Sequence, residues 1–159
     1  MLAVSNNIDK NKALARMQNL CARQEKCTAD VRQKLHLLGL SNDDIQWVIK
    51  RLIGDGYVDD SRYAHFFVRD KSRLNKWGRV KIMSTLKSKG IAESIIRDSL
   101  SELNPDVDKQ TLSELITRKA KQVKAKSAYD LQSKLIRFGV SRGFEMELVL
   151  DVVKSVVKE

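Results

Sequence analysis

Apolar residues recur along this chain at the three- and four-residue spacing of an amphipathic helix, and polar residues fill most of the positions between them. The chain contains a single proline, Pro105, and no convincing strand pattern. The pattern therefore predicts an all-α protein. It favours nine helices in three groups of three, at about residues 9–24, 28–38 and 42–53, then 61–74, 77–89 and 92–103, then 109–126, 127–142 and 145–157.

A weaker pattern recurs about every 50 residues. Three glycines, Gly39, Gly90 and Gly143, each follow an apolar helix and precede one apolar residue and a further apolar helix. The shared apolar positions lie eight residues before the glycine (Val31, Ile82, Leu135) and one after it (Leu40, Ile91, Phe144), then six (Ile45, Ile96, Val149), ten (Ile49, Leu100, Val153) and thirteen after it (Leu52, Leu103, Val156). Four residues before the glycine the pattern breaks, with Leu35 and Leu86 but Gly139 in the third copy. This period is typical of one supersecondary unit stacked several times.

Turn residues divide the chain at two places. The segment GDGYVDD, Gly54 to Asp60, predicts a turn in which Asp60 caps the fourth helix, and NPDVD around Pro105 predicts a linker. Ser41 is predicted to cap the third helix. We therefore predict a flexible tail at residues 1–9 and three-helix repeats at residues 10–58, 59–104 and 105–159, arranged as an elongated molecule.

Composition restricts the class of partner. The formal net charge is +10, which favours polyanions or acidic protein surfaces as partners. Cys21 and Cys27 form no CxxC motif and have no paired histidines, a pattern that suits reduced thiols in the cytoplasm better than a zinc site. No apolar run has the length of a membrane span, and the first residues lack the apolar segment of a signal peptide, so we predict no membrane association.

Motifs of catalysis are missing from the sequence. It contains no GxxxxGK[ST], HExxH, GxSxG or GxGxxG pattern, and His36 and His65 have no motif around them. The carboxylates Asp55, Asp59 and Asp60 are explained by helix capping and by the helix dipole. We therefore predict no catalytic, cofactor-binding or metal-binding residues and no enzymatic activity.

The placement of charge is more informative than the total. Residues 61–104 contain ten basic and four acidic residues, and a second basic run at residues 118–126 contains no acid. Such runs are often only solvated helix faces, but small hydroxyl residues beside lysine in the fifth helix would let a phosphate backbone approach. The candidate contacts with DNA or an acidic partner are Arg69, Lys71, Arg73, Lys76, Arg79, Lys81, Lys87, Lys89, Arg118, Lys119, Lys121, Lys124, Lys126, Arg137 and Arg142. Trp77 could stack on a base, although its pattern favours a core anchor.

Three segments in order resemble the RecX family of bacterial recombination regulators: GYVDDSRYA (Gly56 to Ala64), KWGRVKIMSTLKSKGI (Lys76 to Ile91) and RFGVSRGFE (Arg137 to Glu145). The resemblance runs from about Leu14 to Val156 and is strongest in the middle repeat. It implies three tandem repeats, each like a helix-turn-helix bundle, in an elongated, curved array. It also implies a partner and a role, namely binding in the groove of the RecA nucleoprotein filament, restraint of its ATP hydrolysis and strand exchange, and some affinity for DNA. We predict that the protein is a monomer and binds single- and double-stranded DNA without sequence preference.

Two other functions stay open at this point. Three-helix units also build sequence-specific helix-turn-helix regulators, although the chain shows no dimerisation segment for paired half-sites. A helical scaffold that binds only protein would make the basic charge incidental. Sequence-independent, salt-sensitive DNA binding would favour the RecX interpretation over both alternatives.

Overall fold

The structure, a computed structural model, describes residues 8–158, so most of the predicted tail lies outside the described residues. The described part of the chain contains nine α-helices and no strand, which confirms the all-α prediction. The helices are α1 (Lys10–Arg23), α2 (Thr28–Leu37), α3 (Asn42–Gly54), α4 (Asp60–Arg73), α5 (Arg79–Ser88), α6 (Glu93–Leu100), α7 (Pro105–Gln122), α8 (Ala128–Ser141) and α9 (Met146–Val157).

The predicted linker around Pro105 is wrong. Pro105 is the first residue of α7, where its missing N–H costs nothing because the first amides of a helix have no partner within the helix. Asn104 caps this helix, and its side chain accepts a hydrogen bond from the backbone N–H of Asp106 at 2.9 Å. The helix therefore begins four residues earlier than the sequence pattern predicts.

The predicted role of Asp60 is also wrong, because α4 begins at Asp60 itself. The carboxylate of Asp59 accepts from the backbone N–H of Arg62 at 3.0 Å. Asp60 instead accepts from both the backbone N–H and the hydroxyl of Thr28, the first residue of α2, at 2.8 and 3.1 Å. It therefore caps a helix 32 residues earlier in the chain. The predicted cap Ser41 is confirmed, since its hydroxyl accepts from the N–H of Asp44 at 3.2 Å.

The recurring apolar positions form the core. The residues eight before and one, six and ten after each glycine are buried in all three copies. The last position of the pattern is buried at Leu52 and half-buried at Leu103 and Val156. The repeat pattern thus marks the side of each helix group that packs inward, and the chain has an all-α repeat fold.

The chain divides into two compact units. Within the described residues, one unit runs to Ala64 and includes Lys89–Ile91, and the other comprises His65–Ser88 and the residues from Ala92 onward. The apolar core of the first unit is built on α1 and α3, with Met17, Val48 and Leu52 among its buried residues. In the second unit, α7, α8 and α9 enclose a core that includes Ile116 and Leu135. The boundaries of the three predicted repeats stay predictions.

Gly139 has a packing role that accounts for the break in the repeat pattern. It lies buried in α8, and a Cβ at this position would be 2.8 Å from Cγ1 of Val149 in α9. A leucine, which the other two copies have here, would not fit against Val149 in this arrangement. The glycine thus allows α8 and α9 to approach closely.

Candidate nucleic-acid interface

The first basic run, residues 69–89, spans α4 and α5, and the segment between these helices, which contains Lys76, is held by backbone hydrogen bonds to the end of α8. The N–H of Gly78 donates to the carbonyl of Arg142 at 2.8 Å, and the N–H of Val80 donates to the carbonyl of Gly143 at 2.9 Å. The guanidinium of Arg142 also donates to the carbonyl of Asn75. These bonds fix the start of α5 against the turn that follows α8.

Two glycines make this approach possible. A Cβ at Gly78 would lie 2.4 Å from the backbone of Gly143, and a Cβ at Gly143 would lie 2.2 Å from Cβ of Lys81. Real Cβ atoms do not come so close to backbone atoms, so the contact requires glycine on both sides. Gly143 also has φ +94°, a conformation that glycine adopts readily.

Trp77 is half-buried at the centre of this segment. Its ring meets that of Phe67 edge-to-face, with the ring centres 6.2 Å apart. The ammonium groups of Lys71 and Lys81 lie 5.0 and 4.3 Å from the centre of the Trp77 ring. Trp77 therefore anchors two lysines through cation–π contacts, one from α4 and one from α5.

Four members of the first basic run are exposed, and the structure describes no ion pair for three of them, Arg73, Lys76 and Lys87. Lys76 has φ +55°, a left-handed conformation that is uncommon for a residue with a side chain. These three side chains are available to an anionic partner.

Three other predicted residues are engaged within the fold. Lys89 pairs with Asp30 at 2.8 Å, and both side chains are mostly covered. Burial would lower the pKa of Lys89, but Asp30 and Tyr63 outweigh burial and raise it. Arg69 pairs with Glu102 at 3.2 Å. Arg142 holds the carbonyl of Asn75, as described above.

The second basic run lies around the end of α7 and the turn into α8. Arg118 and Lys121 are exposed and line a shallow groove with Ser113, Glu114 and Thr117. Lys119 lies 5.1 Å from the ring centre of Phe138.

Lys124 and Lys126 have exposed side chains, and only their backbone groups take part in local contacts, whereas the two remaining predicted residues do so through their side chains. The carbonyl of Lys124 accepts from Lys134 at 2.8 Å, and the N–H of Lys126 donates to Asp130 at 3.0 Å. Arg137 donates to the carbonyl of Ser133 at 3.4 Å. Arg79, from the first run, is half-buried beside Asp108. Burial raises the pKa of Asp108, and Arg79 opposes that rise.

A cleft of about 290 Å³ lies beside the first basic run, and sequence reasoning missed most of its lining. Arg69, Ser72 and Arg73 of α4 line the cleft, together with Lys76 and Trp77. The residues around the start of α7 that line it are Asn104, Val107, Asp108 and Thr111. These four residues have the three- and four-residue spacing of one helix face. The face was missed because the helix was predicted to begin only at residue 109.

His65 lies outside the cleft lining and bridges two carboxylates. Its Nδ1 is 2.6 Å from Glu102 and its Nε2 is 3.0 Å from Asp98. The hydrogen bond with Glu102 is the main cause that raises the pKa of His65. Both ring nitrogens donate only in the protonated imidazole, so this arrangement suits the charged form.

Within residues 8–158, no cluster of three or more His, Cys, Asp or Glu side chains is arranged to hold a metal ion. None of the helices in that range is long and apolar enough to cross a membrane.

Comparison with known proteins identifies the family. Models of the second and third three-helix domains of RecX match residues 59–100 and 106–153. The chain belongs to the RecX family. A regulatory protein RecX from Clostridium acetobutylicum is 30% identical over 152 residues, which cover 92% of this chain and 70% of the relative. The regulatory protein RecX of Clostridium botulinum Eklund 17B is 31% identical over 137 residues, which cover 85% of this chain and 64% of the relative.

A solved RecX structure has the same fold. The crystal structure of RecX from Lactobacillus salivarius superposes with a TM-score of 0.79 over 94% of this chain and 97% of that chain, at 22% sequence identity. The match supports the all-α repeat architecture.

Proposed function

We propose that this RecX-family chain is a regulatory protein that binds the RecA nucleoprotein filament in its groove and restrains RecA ATP hydrolysis and strand exchange. Membership of the RecX family, whose relatives are named regulatory proteins, carries the proposal. The protein acts as a cytoplasmic monomer, needs no cofactor and catalyses no reaction itself.

The proposal includes DNA affinity without sequence preference. A groove formed by protein and nucleic acid is strongly anionic, and the chain has a net charge of +10. Exposed Arg73, Lys76 and Lys87 support contact with phosphates, as do Arg118 and Lys121 in the second run. Arg69, Lys89 and Arg142 hold the fold instead, and the other predicted residues contribute through the local positive potential.

The direct test adds the 159-residue protein to RecA filaments on single-stranded DNA and follows ATP hydrolysis and strand exchange. We expect both activities to fall as the protein is added. The full chain is needed because the second compact unit includes both α4–α6 residues and the whole third helix group, so truncation after Asn104 would cut through that unit. Undiminished RecA activity at saturating protein would refute the proposal.

A second test separates DNA contact from solvated charge. The variant R73Q/K76N/K87Q removes three exposed cations, with Asn chosen at position 76 because it tolerates positive φ. K12Q/K34Q/K50Q removes three exposed cations of the first unit and is the matched control. Each lost phosphate contact should reduce the slope of log binding constant against log salt concentration by about 0.7 on single strands and about 0.9 on duplex.

We expect the first variant to bind DNA more weakly with a flatter salt dependence, and the control to resemble the unmodified protein. Equal losses of DNA affinity in the two variants would mean that binding depends on the net charge of the protein and not on the positions of these three cations. A strong preference for one DNA sequence would favour a sequence-specific helix-turn-helix regulator instead.

A further inference from the structure

The cleft beside Trp77 combines apolar, aromatic and hydroxyl surface. Its inner part is apolar, with buried Val68 and Phe144. Trp77 adds an aromatic edge, while Ser72 and Thr111 supply hydroxyl groups. Small-molecule sites have this composition, an apolar cavity with a few polar groups that set orientation.

Charge on the rim favours an anion. Arg69 is paired with Glu102, so its charge is largely balanced. Arg73 and Lys76 are exposed at the rim, and the structure describes no ion pair for either one. Asp108 is the remaining acid of the lining, half-buried, and burial raises its pKa, which disfavours its charged form. The rim therefore attracts a phosphate more strongly than it repels one.

The backbone at the rim is held in an unfavourable conformation. Lys76 has φ +55°, a left-handed conformation that costs free energy for any residue with a Cβ. Hydrogen bonds on both sides maintain it, from the N–H of Trp77 to the carbonyl of Lys71 at 3.0 Å and from the N–H of Gly78 to that of Arg142 at 2.8 Å. Backbone strain of this kind is found preferentially at binding and catalytic sites.

Size limits the occupant. The volume of about 290 Å³ lies at the lower end of the range of small-ligand sites, roughly 300–1,000 Å³. That space suits one nucleobase with its phosphate.

We propose that this cleft binds one unstacked nucleotide of a single DNA strand, with its base against Trp77 and Phe144 and its phosphate on Arg73 and Lys76. The inference deepens the proposed function and relies on it for the DNA partner. Single-strand binding proteins likewise combine aromatic side chains with cations, and aromatic contacts accept different bases because every base has a π-face.

The test uses fluorescence of Trp77 in a W47F protein, since the chain has two tryptophans and Trp47 lies away from the cleft lining, between Lys10 and Arg51. The probes are a short oligothymidylate and an abasic strand of the same length, which carries the phosphates without the bases. We expect the oligothymidylate to change the Trp77 emission and to bind about tenfold more tightly than the abasic strand. Equal affinities, or an unchanged emission, would overturn the inference.

Two further variants locate the effect. Val107 lies at the cleft and is 56% exposed, so V107F in the W47F background should fill the cleft without disturbing the core. V140F, at an exposed position of α8 outside the cleft lining, is the matched control. We expect V107F to abolish the preference for the strand with bases and V140F to retain it. A preference that survives V107F would place the base elsewhere. In a competition experiment, we expect free thymidylate to displace bound oligothymidylate and a polyglutamate peptide not to displace it. A polyglutamate peptide that changes Trp77 emission when oligothymidylate does not would assign the cleft to an acidic peptide.

The outcomes distinguish this inference from the proposed function. Inhibition of RecA by a protein whose Trp77 does not respond to DNA would overturn the cleft assignment alone. A base-dependent Trp77 response in a protein that leaves RecA activity unchanged would overturn the RecA proposal alone.

Discussion

The second and third copies of the repeat have the same glycine in different surroundings. Gly90 and Gly143 both have positive φ, +72° and +94°. A Cβ at Gly90 would meet nothing within 4 Å, whereas a Cβ at Gly143 would collide with Lys81. Gly90 is needed only for its backbone conformation, and Gly143 is also needed for a close contact. The same repeat position therefore carries a turn in one copy and a packing contact in the other.

The largest effect is expected from G143A. The left-handed conformation costs about 1–2 kcal/mol for alanine, and the collision with Lys81 adds an overpacking cost of about 1–3 kcal/mol. We expect G143A to lower the free energy of unfolding by roughly 3 kcal/mol and G90A to lower it by about 1–2 kcal/mol. Urea unfolding followed by Trp77 fluorescence in the W47F background measures both. Equal losses would show that the contact at Gly143 relaxes without cost.

Substitution on the other side of the contact should have the next largest effect. In G78A the new Cβ would lie 2.4 Å from the backbone of Gly143, so the hydrogen bond from Gly78 N–H to Arg142 would stretch or break. We expect G78A to lower the free energy of unfolding by about 2–3 kcal/mol, because of overpacking and one weakened hydrogen bond. The control is G54A, at the last residue of α3, where a Cβ meets nothing within 4 Å and alanine should be neutral or slightly stabilising. Thermal unfolding of the two variants compares them, and a neutral G78A would contradict the described contact.

A smaller effect is expected at Gly139, which replaces the leucine of the second copy. Alanine at position 139 gains about 1 kcal/mol of helix propensity but must displace Val149, at an overpacking cost of about 1–3 kcal/mol. We expect G139A to lower the free energy of unfolding by about 1 kcal/mol in total. Adding V149A should make the effect of G139A favourable, and a double-mutant cycle from urea unfolding measures the coupling. Additive effects would mean that the two side chains do not compete for space.

The smallest effect is expected from the charged side chains of the second copy. His65 of α4 contacts Asp98 of α6 and Glu102 just after α6. Arg69 pairs with the same Glu102. The pKa of His65 is raised, so its contribution is complete below its unfolded pKa of about 6.5 and disappears as the pH rises through the higher folded value. The pKa of Glu102 is lowered, chiefly by His65, so its own contribution is lost instead as the pH falls below the ordinary carboxyl range.

Between pH 6 and pH 8, we expect the free energy of unfolding of the unmodified protein to fall relative to that of H65Q by less than about 1 kcal/mol. The effect is small because the carboxylates are partly exposed and solvent screens them. Urea unfolding at the two pH values gives this difference. The same pH dependence in both proteins would show that folding does not raise the pKa of His65.

The sequence determined the helical class, the repeat and the inward-facing positions, because these depend on local periodicity and on side-chain size. Val31, Ile82 and Leu135 could be assigned to the core from spacing alone, and all three are buried. The cap at Ser41 also followed from neighbouring residues, since its partner is three residues away. The sequence also shows where the basic runs lie. It does not show which of their side chains are exposed.

Only the tertiary structure decided the contacts that join distant parts of the chain. Asp60 caps α2 across 32 residues, and Gly78 meets Gly143, so neither role leaves a signal in the neighbouring residues. The cleft likewise needs α4 and the start of α7 together, and the sequence pattern places that start at residue 109 instead of at Pro105. Close approach of two backbones depends on the positions of whole helices, which local spacing does not encode.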